Sequence, residues 1–198
     1  LQECLMPVSH SVLTVVTAPM GYGKTTAVNW YLNRQGKSEK TFIIRISIYS
    51  DNVSVFWQSV QRAFSFAGLN FLDNYICPSD TAGASLLADE FCYSLGSSGN
   101  YYIFIDDFHL LKENRVTDFI CTLSNRLPEN VHLIIAGRNN FLTGKEIVRL
   151  GKKLHRIDTH DLCLNRRELS VYTHRCGADL NESQLNELFH SSEGWFSA

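Results

Sequence analysis

The sequence predicts an α/β fold: a parallel sheet of five strands covered by helices on both faces, followed by the start of a small helical subdomain. Three observations carry this. Short, unbroken apolar runs alternate with helix-length segments, and strands apolar on both faces belong to parallel sheets. The first run ends in a glycine-rich turn that opens a helix. The composition, 44% apolar and 12% aromatic over 198 residues, lets a chain of this length bury roughly 70% of its unfolded surface. Disordered and fibrous chains are thereby excluded. Against a prior of about 150 residues per domain, one main unit (1–164) with an appended second one (165–198) fits better than two equal halves.

Residues 11–17, SVLTVVT, form a β-branched apolar run that stops at a Pro/Gly cluster. Residues 25–33 follow as a helix, with Val28 and Leu32 four apart. TFIIRIS (41–47) is the second strand. Residues 53–67 place Phe56, Val60 and Phe64 on one helical face, where Phe56 and Trp57 are most simply core. Residues 84–95 are a further helix, closed by the breaker at 96–100. YYIFI (101–105) and VHLIIA (131–136) are the third and fourth strands, with a helix over 114–126 between them. The fifth strand falls between 154 and 164. Beyond it, residues 166–176 and 182–191 are two short helices around GADLN, with no strand after them.

The net charge is −2, and basic residues never run beyond adjacent pairs (Lys152-Lys153, Arg166-Arg167). A broad nucleic-acid face within this chain is therefore excluded. No apolar run approaches the ~18 residues that span a bilayer, and the first residues lack a basic segment leading into an apolar one. The six cysteines (Cys4, Cys77, Cys92, Cys121, Cys163, Cys176) are scattered without a C-x-x-C pair. They read as buried free thiols of a reducing compartment, and the expected location is cytoplasmic. A first residue other than Met, and an end at SSEGWFSA without a closing signal, read as a piece of a longer protein.

The strongest chemical signal is APMGYGKTT, Ala18, Pro19, Met20, Gly21, Tyr22, Gly23, Lys24, Thr25 and Thr26. It fits the phosphate-loop pattern G-x-x-x-x-G-K-[ST], with Ala18 at the first glycine position. Gly21 and Gly23 let the backbone curl so that successive N–H groups form an anion nest, and the helix that follows adds its positive N-terminal end. Lys24 is a point charge for β- and γ-phosphates, and the Thr25 hydroxyl a ligand for Mg2+. Some 80 residues on, YIFIDDFH (102–109) has the Walker-B form, a buried strand ending in acids. Such endings are common by themselves, but two adjacent carboxylates repel unless a cation sits near them. Asp106 would hold the metal through water, and Asp107 would orient or deprotonate an attacking water. LIIAGR ends the fourth strand with Arg138, placed where ligands of parallel sheets bind and equipped with forked donors for a γ-phosphate. His109 reads as a local hydrogen-bonding residue, and no histidine has zinc-ligand spacing.

APMGYGKTT, IFIDDFH, LPENVHLIIAGR (127–138) and SSEGW (191–195), in this order and spacing, resemble the signal-transducing ATPases with numerous domains (STAND). Within them the chain is similar to the ATPase domain of the maltose-regulator (MalT-like) group of LuxR-type transcription regulators. VFWQSVQRAF and LCLNRRELSVYTHRCGADL resemble that group's second helix and its link to the helical module. The resemblance implies strand order 5-1-4-3-2, ATP and ADP as switch ligands with Mg2+, slow hydrolysis and self-association. It further implies an inducer, small molecule or protein, acting through a sensor region outside this chain, and DNA bound only through a helix-turn-helix outside it. Adenine contacts would lie upstream of the first strand, where LQECLMPVSH has no distinctive pattern. Three readings stand: a regulatory switch, a phosphotransferase using the same loop, and a scaffold that binds nucleotide without hydrolysing it. The phosphotransferase would need an arginine-bearing lid, and residues 68–83 contain neither Arg nor Lys.

Overall fold

The computed structural model describes residues 2–38, 40–96 and 99–192. The chain enters through a short helix α1 (Gln2–Leu5) and a 3-10 turn (Met6–His10), then alternates strand and helix. β1 (Leu13–Thr17), β2 (Thr41–Ser47), β3 (Asn100–Asp106), β4 (Val131–Gly137) and β5 (Leu154–Ile157) are connected by α2 (Lys24–Gln35), α3 (Val53–Phe66), α4 (Thr81–Leu95), α5 (Asn114–Arg126) and α6 (Gly144–Leu150). α7 (Arg166–Arg175) and α8 (Glu182–Ser192) follow. Every pairing is parallel and the strand order is β2-β3-β4-β1-β5. Read from its other edge, this is 5-1-4-3-2.

The two-residue alternation along the strands divides the core into two layers. Leu13, Val15, Tyr101, Ile103, Ile105, Leu133 and Ile135 face the layer filled by Phe56, Trp57 and Phe64 of α3, Leu87 and Phe91 of α4, and Phe119 and Ile120 of α5. Val16, Tyr102, Phe104, Ile134 and Ala136 face the opposite layer, filled by Ala27, Val28, Tyr31 and Leu32 of α2 and by Leu5 and Val8 of the entry segment. Such two-sided burial leaves residues 101–105 of β3 and 133–136 of β4 as unbroken apolar runs, which is why they are the plainest in the sequence.

Some boundaries differ from expectation, each for a local reason. α4 begins at Thr81 rather than 84, because the Asp80 carboxylate accepts the Gly83 N–H at 2.7 Å and caps the helix there. β5 takes only the first four residues of the expected interval, and residues 160–162 form a 3-10 turn. α1 and α6 were not anticipated, being too short for a helical period to show. α6 nonetheless carries a capping box, Thr143 with Glu146. Residues 68–83 do not form a lid. Leu72 is fully buried, and Trp57 Nε1 and Gln61 Nε2 donate to the Tyr75 carbonyl at 2.7 and 3.0 Å. The cysteines are not uniformly core either: Cys121 is buried, Cys176 exposed, and the other four intermediate. Within SSEGW, Ser191 and Ser192 close α8, and residues 193–195 lie outside the described residues.

Candidate functional site

At the carboxyl end of β1 the chain turns through Ala18 to Gly23 and enters α2 at Lys24. Gly21 and Gly23 hold φ of 85° and 70°, values that cost an L side chain roughly 1–2 kcal/mol. The departure from glycine at position 18 has a packing explanation. Ala18 is buried in the α2-side layer, and its N–H donates to the Gly137 carbonyl at 3.3 Å, continuing the β1–β4 ladder by one step. A methyl group there fills the core and stays clear of the nest.

Lys24 is only 8% exposed. Its ammonium donates to the carbonyls of Ala18 at 2.7 Å and Pro19 at 2.8 Å, folding the side chain back beneath the loop. Burial pushes its pKa down, and the Asp106 and Asp107 carboxylates oppose that shift. A cation so placed is desolvated and lacks an anionic hydrogen-bond partner.

The Thr25 hydroxyl donates to Asp106 Oδ2 at 2.7 Å, joining two segments 81 residues apart. The other carboxylate oxygen of Asp106 accepts the Asp107 N–H at 2.9 Å. Asp106 is buried, whereas Asp107, at φ 57°, is the one non-glycine among the described residues with positive φ. Strain of this kind gathers at functional positions. It turns the Asp107 carboxylate away from its neighbour, leaving that side chain 52% exposed. Thr25 and Asp106 thus form an all-oxygen donor pair, the chemistry that suits Mg2+. Arg138 stands just past β4, and its Nη2 donates to Met20 Sδ at 3.3 Å, so the arginine already spans to the loop.

His109 departs from its expected role as a local hydrogen-bonding residue. Both ring nitrogens are buried without a hydrogen-bond partner, and Nδ1 lies 3.9 Å from Asp107 Oδ1. Burial, and then the Arg138 charge, push its pKa down, so the ring is neutral at pH 7.

Sequence reasoning missed the cavity beside the loop. It encloses about 380 Å³ between α2 and α7, with Tyr22, Trp30, Arg34, Leu164, Val171 and Tyr172 among its walls. The Arg34 guanidinium lies 4.9 Å from the centroid of the Trp30 ring. No described residue of the entry segment is among its walls. Residues about 140 positions apart make this wall, and no local motif encodes it. The available hint was the helical spacing of Tyr22, Thr26 and Trp30, which carries one side of α2 from the loop to the cavity.

A phosphate-type loop after β1, an acidic pair at the carboxyl end of β3 and a 2-3-4-1-5 parallel sheet define a P-loop nucleoside-triphosphatase domain. The AAA domain family matches residues 8–143, more than half of the chain, and the chain belongs to that family. It is 23% identical over 202 aligned positions to the HTH-type transcriptional regulator MalT of Yersinia pestis, covering 94% of this chain and 21% of that protein. The chain thus spans about a fifth of that relative. Among solved structures it is similar to Cdc6p of Pyrobaculum aerophilum (TM-score 0.52, 16% identity, 87% of this chain and 45% of that one). It is also similar to the ORC1 protein of Aeropyrum pernix solved in complex with DNA (TM-score 0.51, 14% identity, 88% and 46%). These likenesses show the fold. No helix among the described residues is long and apolar enough to cross a membrane.

Proposed function

We propose that this chain is the ATP-binding switch domain of a signal-responsive regulator of the LuxR type, and that it hydrolyses ATP slowly. The observation that carries the reading is the Thr25–Asp106 hydrogen bond at 2.7 Å, beside the buried Lys24 in sequence. A hydroxyl, a carboxylate and a desolvated cation converge on the mouth of an amide nest. That arrangement suits a polyphosphate and its counter-ion, and has little use otherwise.

Residues 18–26 cradle the α- and β-phosphates through their N–H groups. Lys24 leaves the Ala18 and Pro19 carbonyls to contact the β- and γ-phosphates. Thr25 and, through water, Asp106 would hold Mg2+, which would supply positive charge to the polyphosphate. Asp107, turned outward by its backbone, orients the attacking water and accepts its proton. Arg138 reports the γ-phosphate, and the α2–α7 cavity takes the nucleoside. Leu169 of α7 and Leu185 of α8 belong to neither sheet layer, which supports a helical subdomain from residue 165 onward. Inducer recognition and DNA binding would reside in parts of the parent protein other than this chain, and its location would be cytoplasmic. The phosphotransferase reading is disfavoured by residues 68–83, which contain neither Arg nor Lys and so offer no basic lid.

Calorimetric titration with ADP and a non-hydrolysable ATP analogue, beside a phosphate-release assay, tests this. The expectation is Mg2+-dependent binding of both nucleotides and turnover well below the ~1 s−1 at the low end of ordinary enzymes. Transfer of phosphate to a small acceptor at ordinary enzyme rates would overturn it.

A further inference from the structure

We propose that Met20 is an oxidation site, and that its conversion to the sulfoxide by a peroxide withdraws Arg138 from the γ-phosphate. This rests on the reading of Arg138 given above. The sequence contains two methionines. Met20 is 75% exposed although it sits inside the phosphate loop, and its sulfur accepts the Arg138 Nη2–H at 3.3 Å. Met6, 60% exposed in the entry segment, provides an internal comparison.

A thioether sulfur has two lone pairs. The Arg138 contact uses one, and the exposed side chain leaves the other open to an oxidant. Attack of that pair on hydrogen peroxide forms an S–O bond and breaks the O–O bond. Sulfur loses two electrons, the departing hydroxide takes the proton of the incoming hydroxyl, and water is released. The product carries a strongly polarised oxygen where a weak sulfur acceptor had been. Rotation of the exposed side chain about its terminal bonds brings that oxygen to the guanidinium, where it accepts far better than the weakly accepting thioether sulfur. Before oxidation, Met20 holds Arg138 loosely, and a γ-phosphate displaces it. Afterwards, the loop itself competes for the arginine. ADP offers Arg138 nothing, so ADP binding is indifferent to the change. The response is therefore a loss of preference for the triphosphate, reversible by methionine sulfoxide reductases.

The test treats the chain with hydrogen peroxide and then with dithiothreitol, which returns oxidised thiols but not sulfoxides. Peptide mass mapping follows Met20 and Met6, and calorimetry measures ADP and a non-hydrolysable ATP analogue before and after treatment. As Met20 is oxidised, the ATP analogue should lose about tenfold or more in affinity, with ADP unchanged. Sulfoxide reductases should restore it. Met20→Leu and Arg138→Ala, each compared with itself before treatment, should not respond. The inference is overturned if Met20 resists oxidation while Met6 reacts, if the oxidised chain keeps its affinity, or if Met20→Leu loses as much as the wild type. An Arg138→Ala chain with an unaltered ATP-to-ADP ratio would instead sink the sensor reading, and this inference with it. A ratio abolished by Arg138→Ala but untouched by oxidation would sink this inference alone.

Discussion

Lys24 illustrates how a single side chain is prepared for a ligand. Its ammonium is held by two carbonyls, those of Ala18 and Pro19, and burial keeps its proton affinity below the ordinary value. A polyphosphate supplies the anionic partner now lacking. Charge-assisted contacts contribute roughly 1.5–3 kcal/mol each, so Lys24→Ala should weaken nucleotide binding at least about tenfold. Titration of a fluorescent nucleotide checks this, and equal affinities for the two proteins would dismiss the phosphate loop. The adjacent acids separate by role. Asp106 faces Thr25, so Asp106→Asn should weaken the Mg2+ dependence of binding. Asp107 faces outward from a left-handed backbone that Asn also tolerates. Asp107→Asn should therefore fold and bind normally but lose turnover, since a water-orienting group acts mainly at the transition state. Hydrolysis at the wild-type rate by Asp107→Asn would remove its catalytic role. All of these residues were legible in the sequence, because loop and strand-end motifs are local. The burial of Lys24, the strain at Asp107 and the unpartnered ring of His109 were not, because each depends on how the folded backbone turns and packs.

At the scale of elements, the layer between α2 and the sheet carries an unused titratable group. His132 of β4 stacks on Tyr102 at a centroid distance of 4.8 Å, and its Nδ1 lies 2.9 Å from the Ser11 carbonyl. A carbonyl only accepts, so Nδ1 bears the hydrogen. Burial pushes the His132 pKa below its ordinary 6.5, the Ser11 carbonyl opposes this, and His10 adds to it. The folded protein therefore prefers the neutral ring, while the unfolded chain takes up a proton as the pH falls below about 6.5. Stability from this group is complete above that range and is lost as the pH falls through it toward the folded value. His109, lowered by burial and by Arg138, acts in the same direction. Urea denaturation at pH 8 and pH 5.5 should show a lower midpoint in acid, and His132→Phe should reduce the difference. A difference unchanged by that substitution would place the acid sensitivity elsewhere. Short elements were the least legible at this scale. α6 spans seven residues, fewer than two full helical periods beyond its cap, and the Thr143–Glu146 box was the signal that could have revealed it.

For the whole molecule, the question is how far one contact can drive a switch. Arg138 is the named group whose contact would exist with ATP and vanish with ADP. A charge-assisted pair contributes roughly 1.5–3 kcal/mol, or about 10- to 150-fold discrimination. Moving a two-state equilibrium from 1:99 to 99:1 takes about 5.5 kcal/mol of differential affinity. This chain by itself should therefore discriminate only modestly, and Arg138→Ala should erase most of the difference. Calorimetry with ADP and a non-hydrolysable ATP analogue gives the ratio. Discrimination beyond a thousandfold, or a ratio unmoved by Arg138→Ala, would contradict the assignment.

The sequence by itself determined the α/β alternation, the two-sided burial of β3 and β4, the phosphate-loop motif and the acidic strand end. Each is written in residues adjacent along the chain, where apolar runs and glycine spacing act over a few positions. Only the tertiary structure decided what those pieces do together. It brought the Thr25 hydroxyl onto Asp106, folded Lys24 beneath its own loop, laid Arg138 against Met20, and opened a cavity between α2 and α7. The physical reason is that hydrogen bonds and cavities form between surfaces, and a parallel sheet makes neighbours of strands that are distant in sequence. β1 pairs with β4 and β5 rather than with β2, and that crossover, which no local pattern encodes, places the loop, the acids and the arginine at one edge.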